Sequence, residues 1–305
     1  SSLIIDIIIT KLIGFYFLRT NLITIGIILA MVLVGLFLVV AGSQNSIYLY
    51  NLPLFAICGF LIFIIQWIAF IPSYIFKNEK YFDITGSLTY ITMLILVLTT
   101  KNTIDIRTAI IAIFVGVWAI RLGVFLFKRI ISAGKDTRFD NLKNNFLKFL
   151  MTWTLQGLWV FVTFSAGIAA LTSIKELPLG IFDVAGIIIF MVGFSIEVIS
   201  DQQKSKFNKI NNNQFINTGL WKYSRHPNYF GEILVWMGIA LLSIHVLEGW
   251  QYCTLISPLF VALLLTKISG IPMLESKSDI KWGDLPEYQN YKNQTPVLIP
   301  NIFKR

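Results

Sequence analysis

The chain has 305 residues, 56% of them hydrophobic and only 13% charged, with a formal net charge of +9. Its mean hydropathy is +0.72, whereas a water-soluble domain carries about 25% charged residues, so a soluble globular fold is excluded and an integral membrane protein is expected. Cys58 and Cys253 lie in apolar runs without metal-ligand spacing and are read as packing residues.

From the N-terminus, residues 3–9 are apolar but too short to span, are followed by Lys11 and Arg19, and lack a small-residue cleavage site. They are read as an interfacial segment. Apolar stretches close to the roughly 20 residues a bilayer crossing needs then recur at 22–40, 52–76, 84–99, 104–127, 149–171, 179–200, 230–244 and 252–266. The expected fold is all-α: a polytopic transmembrane bundle of about eight helices. One membrane domain over 1–305 is expected, with N-terminal helices in 1–80 and a functional region in 81–305.

With a cytoplasmic N-terminus, the cytoplasmic side receives the Lys128–Lys148 cluster, Lys204, Lys206, Lys209, Lys222, Arg225 and the basic tail. The opposite side receives only Lys101, Arg107 and Lys175. The net charge therefore describes a basic cytoplasmic face that also attracts anionic lipid, and not a nucleic-acid-binding protein. Both termini are expected in the cytoplasm. His245 stands alone in its loop, and no zinc motif, Walker loop, GxGxxG or nucleophile elbow is present.

Ionisable residues at membrane depth are costly and tend to line a cavity or bind something. Arg121 follows Trp118 by one helical turn, on a face that continues to Phe125 and Arg129. The plainer account of Arg121 is snorkelling or an acid partner. Asp83, Ser87 and Tyr90 share a face of the third span, with Gly86 permitting close approach; capping alone would explain Asp83. Glu197 and Asp201, four residues apart at a helix C-terminus, oppose the helix dipole and imply a partner.

The densest run is Gly219-Leu220-Trp221-Lys222-Tyr223-Ser224-Arg225-His226-Pro227-Asn228-Tyr229-Phe230-Gly231-Glu232. Pro227 keeps His226 out of the helix and suits a first turn, after which Asn228 and Glu232 share a face. Arg225, Lys222 and the backbone donors of a helix N-terminus suit an anionic ligand.

This run resembles the C-terminal signature of the steroid 5-alpha-reductase-like membrane family, in particular its bacterial-type domain-of-unknown-function 1295 branch. The resemblance extends from Asp83 through Trp118-Ala119-Ile120-Arg121-Leu122, Gly134-Lys135-Asp136-Thr137-Arg138-Phe139, Glu197 to Lys204, Ser269-Gly270-Ile271-Pro272-Met273-Leu274-Glu275, the pair Tyr288 and Tyr291, and Leu298-Ile299-Pro300. It implies an NADPH-dependent reductase of a carbon–carbon double bond conjugated to a ketone in a steroid-like or other lipid. The cofactor would lie in the helical bundle near the cytosolic face, without a Rossmann domain, in a bacterial inner membrane or the endoplasmic reticulum.

Carried over by position, Glu197, Asp201, Asn228, Tyr229 and Trp236 are expected to line the cofactor cavity. Arg121, Lys204, Lys206, Lys222, Tyr223, Arg225, His226, Glu232, Tyr288 and Tyr291 are expected contributors. Where steroid reductases carry a catalytic Gln–Glu pair, this chain has Gln66 followed by Trp67, with no acidic residue in that span. Hydride transfer to the β-carbon would need a donor for the developing enolate: Tyr90 oriented by Asp83, or a protonated Glu275. No metal and no protein partner is expected. Arg225-His226-Pro227, Tyr229, Glu275, Tyr288 and Tyr291 also resemble S-adenosylmethionine-dependent isoprenylcysteine and phospholipid methyltransferases, and a non-enzymatic lipid-binding protein is the third reading.

Overall fold

The computed structural model describes residues 2–211 and 213–301, with side chains described from Leu18 onward apart from Thr137. The chain runs through α1 (Ser2–Gly42), β1 (Tyr48–Leu49), β2 (Leu52–Pro53), α2 (Leu54–Ile75), α3 (Phe82–Thr100), α4 (Ile106–Ala133), α5 (Phe146–Thr172), α6 (Ile181–Ile210), α7 (Pro227–Ser243), α8 (Ser257–Leu263), α9 (Gly270–Trp282) and α10 (Pro286–Gln294). Among the described residues eight helical segments are long and apolar enough to cross a membrane, as the sequence led one to expect. The interfacial segment expected at residues 3–9 falls where side chains lie outside the described residues.

Helices dominate because a lipid-facing backbone must satisfy its own hydrogen bonds. The strands form a hairpin pairing Tyr48 with Pro53 and Leu49 with Leu52. Its two-residue turn has both central residues at positive φ, Tyr50 at 48° and Asn51 at 63°, the twist that suits tight hairpins. Outward positions such as Leu22, Leu29, Leu33, Ile68, Ile75, Ile113 and Ile120 are exposed and apolar. In water such a surface would associate; acyl chains solvate it.

Two segments outrun their apolar stretches. The sixth span continues to Ile210, and the last runs over Gly249–Trp282, where 266 was the expected end. Their extensions are polar helical turns that hydropathy does not register, and they carry Asp201, Lys204, Glu275 and Asp279.

The chain clusters into two compact units, Ser1–Ile104 with Val115–Val162, and Asp105–Phe114 with Thr163–Arg305. In the first, Phe70, Phe139, Phe149 and Trp153 form a buried aromatic core, with Phe82 packed against it. Above it Glu79 accepts hydrogen bonds from Lys143 Nζ at 2.9 Å and from the Asp136 amide at 3.0 Å, which ties the α2–α3 connection to the α4–α5 connection.

In the second unit α6 and α7 form the most extensive pairing. Their backbones meet at glycines. A Cβ at Gly193 would lie 2.7 Å from Gly231 O, and one at Gly186 would lie 2.8 Å from Gly238 O. The seven-residue spacing on both helices sets one antiparallel register. At the start of α6, Arg107 grips Asp183 through Nε–Oδ1 and Nη2–Oδ2 hydrogen bonds of 2.8 Å each, while also donating to Leu177 O and Pro178 O. His245 Nδ1 lies 3.2 Å from the same carboxylate. From Asp183 to Asp201 the helix rises about 27 Å at 1.5 Å per residue, close to the roughly 30 Å thickness of a bilayer core.

Replacing Gly231 with Ala should lower the melting temperature of the detergent-solubilised protein, because overpacking costs roughly 1–3 kcal/mol. Gly26→Ala, at a position with nothing within 4 Å, should leave it unchanged. Equal melting of the two variants would remove the glycine contact from the account.

Candidate functional site

The α6–α7 register brings the C-terminal turns of α6 against the N-terminus of α7. A Cβ on Gly231 would lie 3.0 Å from Glu197 Cβ, so Glu197, 3% exposed, packs directly on the glycine. One turn later Asp201 is also buried and accepts a hydrogen bond from Asn228 Nδ2 at 3.3 Å. The two acids do not stand at a helix C-terminus as the sequence reading had them: α6 continues to Ile210, and the dipole acts only within the last turn, so the argument that they oppose it lapses.

The loop entering α7 is fastened to the same end of α6. Trp221 Nε1 donates to Ser200 O at 3.0 Å, the Leu220 amide donates to Gln203 Oε1 at 2.9 Å, and Lys204 Nζ stands 4.6 Å over the Trp221 ring. Gly219 has φ +62°, which favours glycine, and a Cβ there would lie 2.5 Å from Gln203 Oε1 and displace the amide that holds Leu220. Pro227 opens α7 with His226 as its cap residue in a non-helical conformation, φ −138° and ψ 60°. His226 stacks on Tyr229, ring centroids 5.7 Å apart.

Glu275 joins the loop from α9. Arg225 Nη1 donates to Glu275 Oε2 at 2.6 Å, and His226 Nε2 lies 2.7 Å from Glu275 Oε1. The route to α9 passes through a π-helical turn, Leu264–Ile268, a feature often found beside functional sites. Gly270 then lets the Tyr229 ring approach, since a Cβ there would lie 2.9 Å from Tyr229 Cε2. Lys292 of α10 pairs with Asp279 at 2.6 Å and stands 3.9 Å from Glu275.

The C-terminal segment straps the loop down. The Arg225 amide donates to Pro296 O at 2.9 Å, Ser224 Oγ to Leu298 O at 2.7 Å, the Asn301 amide to Tyr223 O at 3.0 Å, and Tyr291 OH to Trp221 O at 2.7 Å. Tyr288 OH donates to Asp279 Oδ1 at 3.1 Å, and burial with the nearby Asp279 carboxylate pushes its phenol up to about 12. Burial likewise raises Tyr291. Both tyrosines stay neutral donors at physiological pH.

Burial pulls the His226 pKa below the ordinary imidazole value, further helped by the Lys204 and Arg225 charges; the Glu275 hydrogen bond opposes this without cancelling it. A neutral His226 beside an Arg225-paired carboxylate carries its proton on Nε2, leaving Nδ1 as an acceptor. That Nδ1, Asn228 Oδ1 and Arg225 Nε are all buried without a hydrogen-bond partner in the protein. Each such atom costs about 1–3 kcal/mol if left unmet. Three such atoms, two acceptors and one charged donor, fall within residues 225–228.

Of the other expected site residues in this unit, Trp236 is fully buried against Phe164, Tyr223 and Glu232 are half-buried, and Lys222 and Lys206 are exposed. Asp83, Tyr90 and Arg121 belong to the first unit. There Asp83 is held by Arg138 at 3.1 Å and Arg129 at 3.9 Å. Tyr90 is 2% exposed and edge-on to Trp118 at 5.2 Å, and the Arg121 guanidinium covers the Phe125 ring at 5.3 Å. Asp279 and Lys292 escaped sequence reasoning, while Gln203, Ser224 and Leu298-Ile299-Pro300 stood inside the quoted motifs without a role. The four-residue spacing of Glu275 and Asp279 was the one local signal for any of them.

Fold and site together define a polytopic α-helical membrane protein with a polar, partly cationic cluster where the loop entering α7 meets α6 and α9. The chain belongs to the DUF1295 family of proteins of unknown function, whose profile matches residues 69–295. No curated protein and no solved structure matches it.

The two lowered pKa sets separate by pH. His226 is harder to protonate folded than unfolded, so the unfolded chain binds more protons and stability falls as pH drops below about 6.5. For Glu79, burial is outweighed by the Lys143 and Asp136 hydrogen bonds, and for Asp136 by Arg138, so both are lowered. Their stabilisation is lost only as pH falls below about 4.5. Thermal melting against pH should therefore show two losses, with His226→Gln abolishing the upper one. An upper loss that survives this change would contradict the assignment.

Proposed function

We propose that the protein is a membrane-embedded reductase that binds NADPH in the second unit and reduces a carbon–carbon double bond conjugated to a ketone in a lipid. The observation that carries this reading is the trio of unanswered polar atoms on Arg225, His226 and Asn228 within a cationic loop. The family membership and the resemblance of this run to steroid 5-alpha-reductase-like proteins support it. The residues present fit the cofactor: Arg225 Nε can donate to a phosphate or carbonyl oxygen, while His226 Nδ1 and Asn228 Oδ1 can accept from amide or amino groups. Lys204, Lys206 and Lys222 add charge for phosphates.

When bound, NADPH supplies a hydride for the β-carbon of the enone. Glu275 holds Arg225 and His226 in position, and Asp201 orients the Asn228 amide. The enolate oxygen requires a proton or a strong donor; Tyr90 is the proposed group, because Glu275, paired with Arg225 and His226, is held as an acceptor-only carboxylate and not as the protonated acid that the sequence reading allowed. S-adenosylmethionine carries a sulfonium cation and no phosphate, so a lysine- and arginine-rich loop favours the polyanionic nucleotide over it. The basic loops and both termini are proposed to face the cytoplasm; cysteine labelling at Asn211 and Asn301 from that side checks this, and labelling only from the opposite side refutes it.

Ligand at a hundred times its Kd stabilises a folded protein by about 2.7 kcal/mol. NADPH should raise the melting temperature, NADH less, and S-adenosylmethionine not at all. Glu232→Gln and Asp201→Asn should weaken NADPH binding about tenfold by loss of a charge-assisted bond, whereas Tyr90→Phe should spare binding and slow turnover. Stabilisation by S-adenosylmethionine alone would turn the reading to a methyltransferase, and stabilisation by neither to a non-enzymatic lipid-binding protein.

A further inference from the structure

Helices α9 and α10 each carry a pair of polar residues four apart, Glu275 and Asp279 on one, Tyr288 and Lys292 on the other, so each pair shares a helix face. The two acids do not share α10 evenly. Lys292 Nζ lies 2.6 Å from Asp279 Oδ1 and 2.7 Å from Oδ2, and Tyr288 OH donates to Oδ1 at 3.1 Å. Lys292 Nζ stops 3.9 Å short of Glu275 Oε2, outside hydrogen-bond range. That oxygen accepts from Arg225 Nη1 at 2.6 Å, while Glu275 Oε1 lies 2.7 Å from His226 Nε2.

One carboxylate thus has two cations within reach and bonds only one of them. Lys292 is drawn to both acids, and the two short contacts to Asp279, with Tyr288 fixing that carboxylate, decide its place. Without the Asp279 charge, Lys292 closes on Glu275 Oε2. There its compact, mobile charge competes with the planar fork of Arg225, and the carboxylate turns away from His226. With the Asp279 side chain 43% exposed, the pair itself contributes little to stability; its effect lies in where it leaves Glu275.

We propose that Asp279 is a positioning residue: by holding Lys292 it reserves Glu275 for Arg225 and His226, and so keeps Arg225 Nε and His226 Nδ1 aimed at the ligand site. The consequence for NADPH rests on the function proposed above; the consequence for His226 does not. Glu275 from α9, Lys204 from α6, Arg225 beside it and Tyr229 stacked on it face that imidazole. Burial and the two cations favour its neutral form, and the Glu275 bond opposes them. Losing that bond, and gaining Lys292 as a nearer cation, therefore makes His226 harder to protonate.

The test uses the full chain in detergent, with the His226 titration followed by NMR of labelled imidazoles; the chain has two histidines, and the resonance lost in His226→Gln identifies this one. Asp279→Asn should lower the proton affinity of His226 about threefold and weaken NADPH binding by a similar factor. Both changes should vanish when Asp279→Asn is made in a Lys292→Gln background, since the acid acts only through the lysine. Asp279→Glu, which can still hold Lys292, should titrate as the unaltered chain does. A through-space effect of the lost charge alone predicts the same fall in both backgrounds, and tighter rather than weaker NADPH binding. Either result would overturn the proposal, as would an unshifted His226 in Asp279→Asn. If the unaltered chain binds no NADPH, the nucleotide reading fails and the His226 titration alone decides.

Discussion

The backbone contact between α6 and α7 at Gly186, Gly193, Gly231 and Gly238 is the constraint on which the second unit depends. Between membrane helices there is little hydrophobic drive, because lipid tails are as apolar as leucine, and close van der Waals packing of small residues takes its place. Interhelical hydrogen bonds in membranes average about 0.6 kcal/mol. The 3.3 Å Asn228–Asp201 contact therefore follows from the glycine register and does not set it. With Arg107, Asp183 and His245 pinning one end of α6, the other end is left to hold the loop that carries Arg225 and His226.

Charge organises that end in layers. Glu275 takes Arg225 and His226 together, Asp279 takes Lys292, and the strap from Thr295 to Asn301 holds the loop by its backbone. The side chains are thus restrained while Arg225 Nε, His226 Nδ1 and Asn228 Oδ1 stay unanswered. Restraint of this kind lowers the ordering cost of binding. In the first unit two neutral glutamine amides are held through their nitrogens, Gln66 Nε2 donating to Thr89 Oγ1 and Gln156 Nε2 to Phe82 O.

The eight spans were legible because an apolar run of bilayer length is a strong signal, and the helix start at Pro227 because proline fixes its own φ. The polar ends of α6 and of the last span were not, since hydropathy falls while the helix continues. Grouping Arg225, His226 and Asn228 was possible because they are neighbours in sequence. Pairing them with Glu275 and Asp201 was not, because it depends on a seven-residue glycine register and a π turn. Asp83 and Tyr90 share a helix face as periodicity required, yet Arg138, 55 residues away in sequence, engages the Asp83 carboxylate. Gln156 gave no signal at all: an isolated glutamine in a Thr- and Trp-bearing helix reads as a tolerated polar residue.

The central claim is that the Arg225–His226–Asn228 trio is completed by a nucleotide. An experimentally determined structure of the protein with NADPH tests it most directly. The account predicts cofactor density within hydrogen-bonding distance of Arg225 Nε, His226 Nδ1 and Asn228 Oδ1, with the Glu275 and Asp201 contacts retained. Density showing these three atoms satisfied by water or by rearranged side chains, with the nucleotide elsewhere or unbound, would contradict it.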